Sequence, residues 1–186
     1  MIVRVPNQVL TTPAKKVGKI DKKVTDIIGK MKKNLLSAEN PKGVGLAAPQ
    51  IGESLQIFIT RPTEKSPISV YLDPEVVWKS EDTGAIVRPE DGTKTLRKEK
   101  KLEGCLSIPN VWGYLKRPKS IRLRYLSATG TIKEEVFKDF VATIIQHETD
   151  HVNGIMFTQR VLEQKEKLYR IEEDENGKEE LIEIEI

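Results

Sequence analysis

Both histidines of this 186-residue chain lie in one short string, Gln-His-Glu-Thr-Asp-His, at positions 146–151. In an α-helix, residues four apart point the same way from successive turns. His147 and His151 could therefore place two imidazole nitrogens on one metal ion. Glu148 would then lie beside the ion rather than on it, where a general base is useful. From the string alone, two histidines with ordinary structural roles in a protein core remain the alternative.

Residues 139–154 are predicted to form one helix, with Asp139 as its N-cap and Gly154 just beyond its end. Two stripes with inward-facing apolar members run along this helix at helical spacing. They consist of Phe140, Ile144, His147 and His151, and of Val141, Ile145, Glu148 and Val152. Ionisable groups on buried stripes are costly unless something pairs with them. The pattern therefore favours a helix that carries a site.

Cys105 is the only cysteine, so no internal disulfide can form. Three interpretations of its thiol remain open from the residues alone. It could be buried and inert, or a nucleophile with a nearby histidine as base. It could also be a metal ligand that joins the two histidines. Such a three-ligand set leaves a fourth position open, which is typical of catalytic rather than structural metal sites.

Residues 43–52 read Gly-Val-Gly-Leu-Ala-Ala-Pro-Gln-Ile-Gly. Glycines permit unusual turns and let the backbone pass close to another group. No Gly-Lys-Ser/Thr follows, which argues against a phosphate-binding loop. A tight connection into a strand is the alternative. Gln50 is of interest because its amide could donate a hydrogen bond to a developing oxyanion.

Helical and strand patterns are segregated along the chain. This predicts one domain, residues 1–186, with an α+β fold whose antiparallel or mixed sheets surround the central His-containing helix. An amphipathic helix is predicted over residues 21–38, strands over 55–60, 68–72 and 75–78, and a hairpin over 120–137. Residues 80–101 are polar and predicted to form a loop, or a hairpin around Asp91-Gly92, in which no chemistry is expected. Residues 165–186 are an acidic extension, predicted to form a strand pair around Asn176-Gly177.

The formal net charge is +3, but it is unevenly distributed. Residues 171–186 have a balance of −7, and the other 170 residues carry 30 basic and 20 acidic side chains. A basic body favours acidic neighbours, yet no basic-aromatic motif appears, so specific nucleic-acid recognition is not expected. No secretory signal and no apolar run of about 18 residues is present, so no membrane partner is expected. With a single cysteine, these features fit a reducing cytoplasm.

Three segments together resemble the signature motifs of the peptide deformylases, in the order of that family: residues 43–52, 103–107 and 146–151. Lys116-Arg117-Pro118 and the strand at 121–126 also follow the layout of the family. The similarity covers roughly residues 1–160. It implies a bacterial-type, metal-dependent amidase that removes the formyl group from the N-terminal formylmethionine of newly made proteins. Its partners would be N-formylmethionyl nascent polypeptides.

The resemblance also implies site residues. Cys105, His147 and His151 would bind one divalent metal per chain, Fe(II) physiologically, with Zn(II) or Ni(II) also able to occupy the site. Glu148 would be the general base and then the acid, and Gln50 and the Leu106 N–H would hold the oxyanion. A pocket for the methionine side chain is predicted from residues of the first motif and of the stripe facing the metal: Gly43, Val44, Gly45, Phe140 and Ile144. Glu103 and Arg117 would form an ion pair that supports the Cys105 loop.

Two departures from the family pattern stand out. Residues around 84–99 look like an insertion, and the C-terminus lacks the lysine-rich helix that is reported as a ribosome anchor in the family, so only weak ribosome proximity is expected. Two other functions remain as alternatives. A metallopeptidase shares the helix motif, but Cys105 and the segment with Gln50 argue against it. A catalytically silent peptide-binding module would be marked by loss of Glu148, Gln50 or a ligand, and all of these are present.

Overall fold

The structure is a computed structural model that describes residues 1–39, 42–89, 94–173 and 175–185. The turn predicted at Asp91-Gly92 lies outside these residues. The helices are α1 (Lys22–Leu36), α2 (Leu96–Glu99), α3 (Asp139–Val152) and α4 (Phe157–Glu163), with 3-10 turns at Gln8–Leu10 and Ala48–Ile51. The strands are β1 (Gly45–Ala47), β2 (Ile57–Thr60), β3 (Ser69–Lys79), β4 (Thr83–Ala85), β5 (Leu102–Cys105), β6 (Ile108–Tyr114), β7 (Lys116–Pro118), β8 (Ser120–Leu126), β9 (Ile132–Lys138), β10 (Leu168–Glu173) and β11 (Glu179–Ile184).

The strands form three sheets. A five-stranded sheet has the order β1-β2-β3-β8-β9, a four-stranded sheet the order β11-β10-β6-β5, and β4 pairs with β7. The pairings between these strands are antiparallel. Sheets of this kind beside segregated helices confirm the predicted α+β class. The predicted hairpin at 120–137 is present as β8 and β9.

Helix α1 begins where its sequence predicts. The Asp21 carboxylate accepts a hydrogen bond from the Val24 N–H at 3.0 Å, which satisfies one of the free donors of the first turn. Val24, Ile27 and Met31 recur on one face and are buried. This helix covers the core cluster that contains Leu46 of β1 and Ile57 of β2. It thereby fixes the start of the glycine-rich segment.

The beginning of α3 differs from the prediction. The N-cap is Lys138, the last residue of β9, and Asp139 is already in the helix, so Asp139 as N-cap is wrong. Strand and helix follow each other without a loop because Asp139 turns the chain with φ of 51°. Its N–H donates to the Lys119 carbonyl at 2.7 Å, which holds the corner. The predicted end is confirmed, since Gly154 follows the C-cap residue and has φ of 73°.

The two strands predicted at 68–72 and 75–78 are one strand, β3. Asp73 has φ of 47°, and the pairing with β8 shifts register between Leu72 and Glu75. The Asp73-Pro74 pair therefore makes a bulge rather than a break. A bulge keeps the strand continuous, and the Asp73 carboxylate accepts a hydrogen bond from the Val17 N–H at 2.7 Å.

Helix α3 is the central element. Ala142, Ile145 and Val152 belong to the same core cluster as Phe58 and Leu123 of the five-stranded sheet. The stripe with Phe140 and Ile144 belongs to a separate cluster on the helix. One side of α3 is thus fixed to the sheet, and another side is available for the site.

The C-terminal strands extend the sheet that contains Cys105. β10 pairs with β11 and also with β6, where Leu168 lies opposite Gly113. The Glu179 carboxylate accepts a hydrogen bond from the Leu96 N–H of α2 at 2.8 Å. The tail is therefore attached to the polar segment that precedes β5. Within the described ranges, no helix is long and apolar enough to cross a membrane.

Two glycines with the same backbone conformation should respond differently to substitution. Gly154 and Gly177 have φ of 73° and 74°, but a Cβ at Gly154 would lie 2.7 Å from the Thr12 carbonyl carbon, whereas at Gly177 no described atom lies within 4 Å. We expect Gly177→Ala to lower the free energy of unfolding by about 1 kcal/mol through strain alone. Gly154→Ala should cost about 2–4 kcal/mol, because a clash is added. Urea unfolding measures both, and equal losses would contradict the close approach at Gly154.

Candidate metal centre

Three candidate ligands converge between β5 and α3. Cys105 ends β5, and His147 and His151 lie one turn apart on α3. One possible ligand atom from each of the three side chains lies within 4.8 Å of the other two, and Cys105 Sγ is 3.1 Å from His151 Nε2. The three residues come from distant parts of the sequence, yet their donor atoms point to one small volume.

The ring of His147 is oriented by a buried carboxylate. Its Nδ1 is 2.7 Å from Glu103 Oε1, and because an ionised carboxylate only accepts, Nδ1 carries the proton and donates. Nε2 of His147 is therefore the ring atom that can face a cation. A carboxylate behind a ligating histidine is a common arrangement that fixes both tautomer and ring orientation.

Glu103 stays charged because Arg117 is beside it. Arg117 donates from Nε and Nη2 to the two carboxylate oxygens, at 2.9 and 2.8 Å, and both side chains are buried. Burial alone would raise the pKa of Glu103, but Arg117, together with His147, outweighs it and holds that pKa well below its usual range. The predicted ion pair between these residues is thus part of a longer arrangement.

The series of charged contacts that begins at His147, Glu103 and Arg117 continues to the surface through Asp150 and Arg160, which were not predicted as site residues. Arg117 Nη1 donates to Asp150 Oδ2 at 2.9 Å, and Arg160 Nη2 of α4 donates to Asp150 Oδ1 at 2.9 Å. A cavity of about 230 Å³ borders all three of these side chains, behind α3. Asp150 could have been noticed as an acidic residue three positions after His147 in a largely apolar helix. Arg160 lies ten residues further along the chain, and no sequence pattern indicated that it would contact Asp150.

The sulfur of Cys105 accepts weak hydrogen bonds from its own loop and from the glycine-rich segment. The Ser107 N–H lies 3.4 Å from Sγ, and Gln50 Nε2 lies 3.5 Å from Sγ and 3.3 Å from Ser107 Oγ. The other end of the Gln50 amide is fixed, because its Oε1 accepts from the Ala47 N–H at 2.8 Å. The donor end of Gln50 is therefore held toward the three candidate ligands. Leu106 forms the turn between β5 and β6, next to Cys105.

Glu148 is a buried carboxylate next to the candidate ligands. Its Oε2 is inaccessible and has no hydrogen-bond partner among the described residues. Burial raises the pKa of Glu148 to about 7, which brings it close to neutral pH. A group of this kind can both accept and return a proton at physiological pH.

The two imidazoles differ electrostatically. Burial lowers the pKa of His151 well below its usual value, and the neighbouring His147 and Arg117 lower it further. Burial also lowers the pKa of His147, but Cys105 and Glu103 outweigh this and raise it. The acidic surroundings of His147 therefore favour a positive charge. Because metal binding requires neutral imidazole, a cation at this position would replace the proton.

An apolar cluster adjoins the candidate ligands. Phe140 and Ile144 are buried together with Ile86, and Val44 packs against them. The first two and Val44 are predicted pocket residues, whereas Ile86 comes from the polar segment in which no chemistry was expected. A Cβ at Gly45 would lie 2.3 Å from Glu148 Oε1, so only glycine lets β1 pass this close to the carboxylate.

Gly43, which was predicted to belong to the same pocket, lies against α1. A Cβ at Gly43 would lie 2.8 Å from Leu35 Cδ1 and 3.0 Å from the Leu35 carbonyl oxygen. The glycine therefore permits a close approach of the backbone to Leu35 at the C-terminal end of α1.

The donor set fits a divalent transition-metal ion. One thiol and two imidazoles are ligands that such ions prefer. The Glu148 carboxylate, whose Oε2 has no hydrogen-bond partner in the part of the chain that the structure describes, could act as a base rather than as a fourth ligand. Three protein ligands with a base next to them are typical of metal-dependent hydrolases.

Comparisons with known proteins identify the family. The sequence model of the polypeptide deformylase family matches residues 1–167, and the chain belongs to that family. Peptide deformylase 1 of Bacillus cereus is 34% identical over 160 residues, which are 86% of this chain and 90% of the relative. The peptide deformylase of Synechococcus elongatus in complex with actinonin has a TM-score of 0.72 and 31% identity, over 87% of this chain and 78% of that one. The Met-Ala-Ser-bound enzyme of Acinetobacter baumannii has a TM-score of 0.71 and 28% identity, over 87% and 97%. The resemblance seen in the motifs is thus confirmed.

Loss of the carboxylate behind His147 should weaken metal binding. In Glu103→Gln the ring of His147 loses its charged acceptor, and Arg117 loses one of its two carboxylate partners, since Asp150 remains. We expect a metal affinity about 10–100-fold lower, measured by competition with a chelator. Glu134→Gln is the matched control, since Glu134 of β9 forms an exposed ion pair with Arg124 of β8. A folded Glu103→Gln variant that holds metal as tightly as the wild type would contradict the supporting function of Glu103.

Proposed function

We propose that this chain removes the formyl group from the N-terminal formylmethionine of newly made polypeptides and releases formate. The observation that supports this most directly is the convergence of Cys105, His147 and His151 beside the buried carboxylate of Glu148, whose Oε2 has no hydrogen-bond partner among the residues described. Membership of the polypeptide deformylase family supports the same reaction. We also propose that residues 1–186 form a single catalytic domain, since β10 and β11 belong to the sheet that carries Cys105.

The proposed ligands are Cys105, His147 and His151, and the proposed metal is Fe(II), with Zn(II) or Ni(II) as ions that the same donors accept. When bound, the metal supplies a Lewis acid that polarises the formyl carbonyl and lowers the pKa of water. The donors suit several ions, so metal analysis after anaerobic purification is the measurement that chooses among them.

Glu148 is proposed as the proton carrier. With a pKa near 7, its carboxylate accepts the proton of the attacking water at neutral pH. The same group, once protonated, donates to the leaving amine as the C–N bond of the formamide breaks. Its burial keeps bulk water away from this exchange, so the proton passes between the carboxylate and the reacting atoms.

Gln50 and Leu106 are proposed to hold the oxyanion. The Gln50 amide is fixed through its Oε1, which leaves Nε2 as a donor toward the site. The N–H of Leu106 comes from the turn directly after Cys105. Fixed donors aimed at a developing charge cost no reorganisation during the reaction, and each typically contributes about 10²–10³ in rate.

The peptide is proposed to lie along β1, with its first side chain in the apolar cluster. β1 is the edge strand of the five-stranded sheet, so an extended peptide can pair with it. Val44, Phe140 and Ile144 would surround the methionine side chain. The substrates are N-formylmethionyl nascent polypeptides in the cytoplasm. The excess of basic residues outside the C-terminal tail supports no more than weak proximity to the ribosome.

The proposed reaction is tested by formate release. Metal-loaded protein is given formyl-Met-Ala-Ser and, in parallel, unformylated peptides. Formate without cleavage of peptide bonds is the expected result. Cleavage of the unformylated peptides would instead indicate a metallopeptidase, and peptide binding without either product a silent binding module.

Neutralising the proposed base should stop turnover and leave the metal in place. We expect Glu148→Gln to lower the rate of formate release by about 10²–10⁴, because the proton carrier is lost. Metal content per chain should match the wild type, since Glu148 is not a proposed ligand. Glu163→Gln, an exposed acidic residue of α4, serves as control. A Glu148→Gln variant with wild-type turnover would refute the assignment.

Removing the side-chain oxyanion donor should affect rate rather than metal binding. We expect Gln50→Ala to lower kcat by about 10²–10³. Metal content is measured on the same preparation. If this variant loses its metal, Gln50 acts on the Cys105 ligand and not on the oxyanion.

A further inference from the structure

The cavity of about 230 Å³ behind α3 is separate from the candidate metal centre. Gln146, Thr149 and Asp150 line it, and their spacing of three and four residues places them on one side of the helix. His147 and His151 lie on another side. The remaining walls come from α4, from β3 and from the chain around β7. Because a water molecule takes about 30 Å³ in the liquid, the cavity has room for a small ion together with some water.

The two carboxylates on the cavity wall already have cationic partners. Asp150 accepts from Arg117 at Oδ2 and from Arg160 at Oδ1, both at 2.9 Å. Glu163 forms an ion pair with Arg160 at 3.0 Å. The other donors of Arg117 are used by Glu103, from the far side of the guanidinium. This pairing argues against a site for a cation in the cavity.

Two lysines line the same cavity and have no acidic partner in the part of the chain that the structure describes. They are Lys79, the last residue of β3, and Lys116, the first residue of β7. Both are exposed, so the cavity can be reached from solvent. With the two arginines, four basic side chains line the cavity against two acidic ones. Since Glu103 offsets one more of these charges through Arg117, an excess of one positive charge remains.

The backbone that carries the two lysines is fixed. Gln164, directly after α4, accepts from the Lys116 N–H at 3.0 Å and donates to the Lys116 carbonyl at 2.8 Å. Lys79 lies opposite Ile121 in the pairing of β3 with β8. Only the lysine side chains therefore need to be ordered when a ligand binds, which lowers the entropic cost of binding.

A lining residue also has an unused hydroxyl. Thr149 Oγ1 is buried and has no hydrogen-bond partner among the residues described. Buried polar atoms nearly always have a partner, and an exception is a sign of a bound water or ion. A hydroxyl can donate to an anionic oxygen. Thr149 thus adds a neutral donor to the two unpaired cations.

We propose that the cavity behind α3 binds a phosphate group, held by Lys79, Lys116 and Thr149. Lysine binds phosphate as a point charge, which suits two side chains that come from different strands. A phosphate group offers oxygens to all three donors, whereas a carboxylate has only two. The group can belong to inorganic phosphate or to a small phosphomonoester. The inference goes beyond the proposed deformylase function and does not depend on it.

Titration calorimetry of the metal-loaded protein with inorganic phosphate tests the site. The titration is done at low ionic strength, where exposed charges are screened least. We expect saturable binding to one site per chain, with a Kd of about 1 mM or lower, since so small a ligand makes few contacts.

Variants of the three proposed donors locate the binding. Lys79→Ala and Lys116→Ala should each weaken it about two- to fivefold, as expected for exposed charges. Thr149→Val keeps the shape of the side chain and removes the hydroxyl, so we expect a loss of about tenfold, whereas Thr149→Ser should bind as the wild type does. Lys23→Ala, on the exposed face of α1, is the matched control and should have no effect. Urea unfolding establishes that each variant is folded.

Absence of saturable binding to the wild type would overturn the inference, because the cavity would then hold only water. So would a Lys79→Ala/Lys116→Ala double variant that binds as tightly as the wild type, since phosphate would then lie elsewhere, for example on the metal. Acetate binding as tight as that of phosphate would contradict the ligand class. Glycerol phosphate distinguishes the two sources: binding as tight as that of inorganic phosphate supports a phosphomonoester, and weaker binding supports the free ion.

Discussion

A negative charge is buried beside His147, which is proposed as a metal ligand, and the rest of the centre depends on keeping that charge there. A carboxylate removed from water is costly unless a cation with good geometry accompanies it. Arg117 meets this need for Glu103 with two parallel hydrogen bonds, and Asp150 in turn occupies the remaining donor of Arg117. Charges therefore alternate from His147 to Arg160 at the surface. Because β5, β7, α3 and α4 each contribute one or more of these side chains, the same contacts that hold the imidazole also fix the elements to one another.

Helix α3 combines two tasks that usually conflict. Its sheet-facing residues, such as Ile145, are fully buried and fix the helix against the five-stranded sheet. Its other side carries ionisable groups that a core would normally exclude. His147 is paired with a buried carboxylate, and Glu148 is the group for which a role in proton transfer is proposed. A rigid helix is a more accurate support for such groups than a loop would be.

Much of the fold and of the candidate site could be predicted from the sequence, and the predictions that failed have a common cause. Local periodicity was sufficient for α1, for the extent of α3 and for the β8–β9 hairpin, since these patterns depend on nearby residues. The candidate ligands followed from spacing and family resemblance. By contrast, Asp139 and Asp73 adopt positive φ values that tertiary hydrogen bonds hold, and neither is visible in local patterns. Arg160 and Ile86 acquire their positions only when distant strands and helices meet. The apolar contact of Ile86 with α3 could therefore not be predicted from the polar segment in which this residue lies.

The hydrogen bond between Glu179 and Leu96 joins the C-terminal hairpin to the polar segment that is predicted to be an insertion relative to the family. The family match ends at residue 167, before the C-terminal hairpin begins. Since the hairpin holds the short helix that leads into β5, the two parts form one structural unit. Chimeras with related enzymes should therefore exchange both segments together, because a transplanted tail without its matching helix would lack the backbone donor it binds.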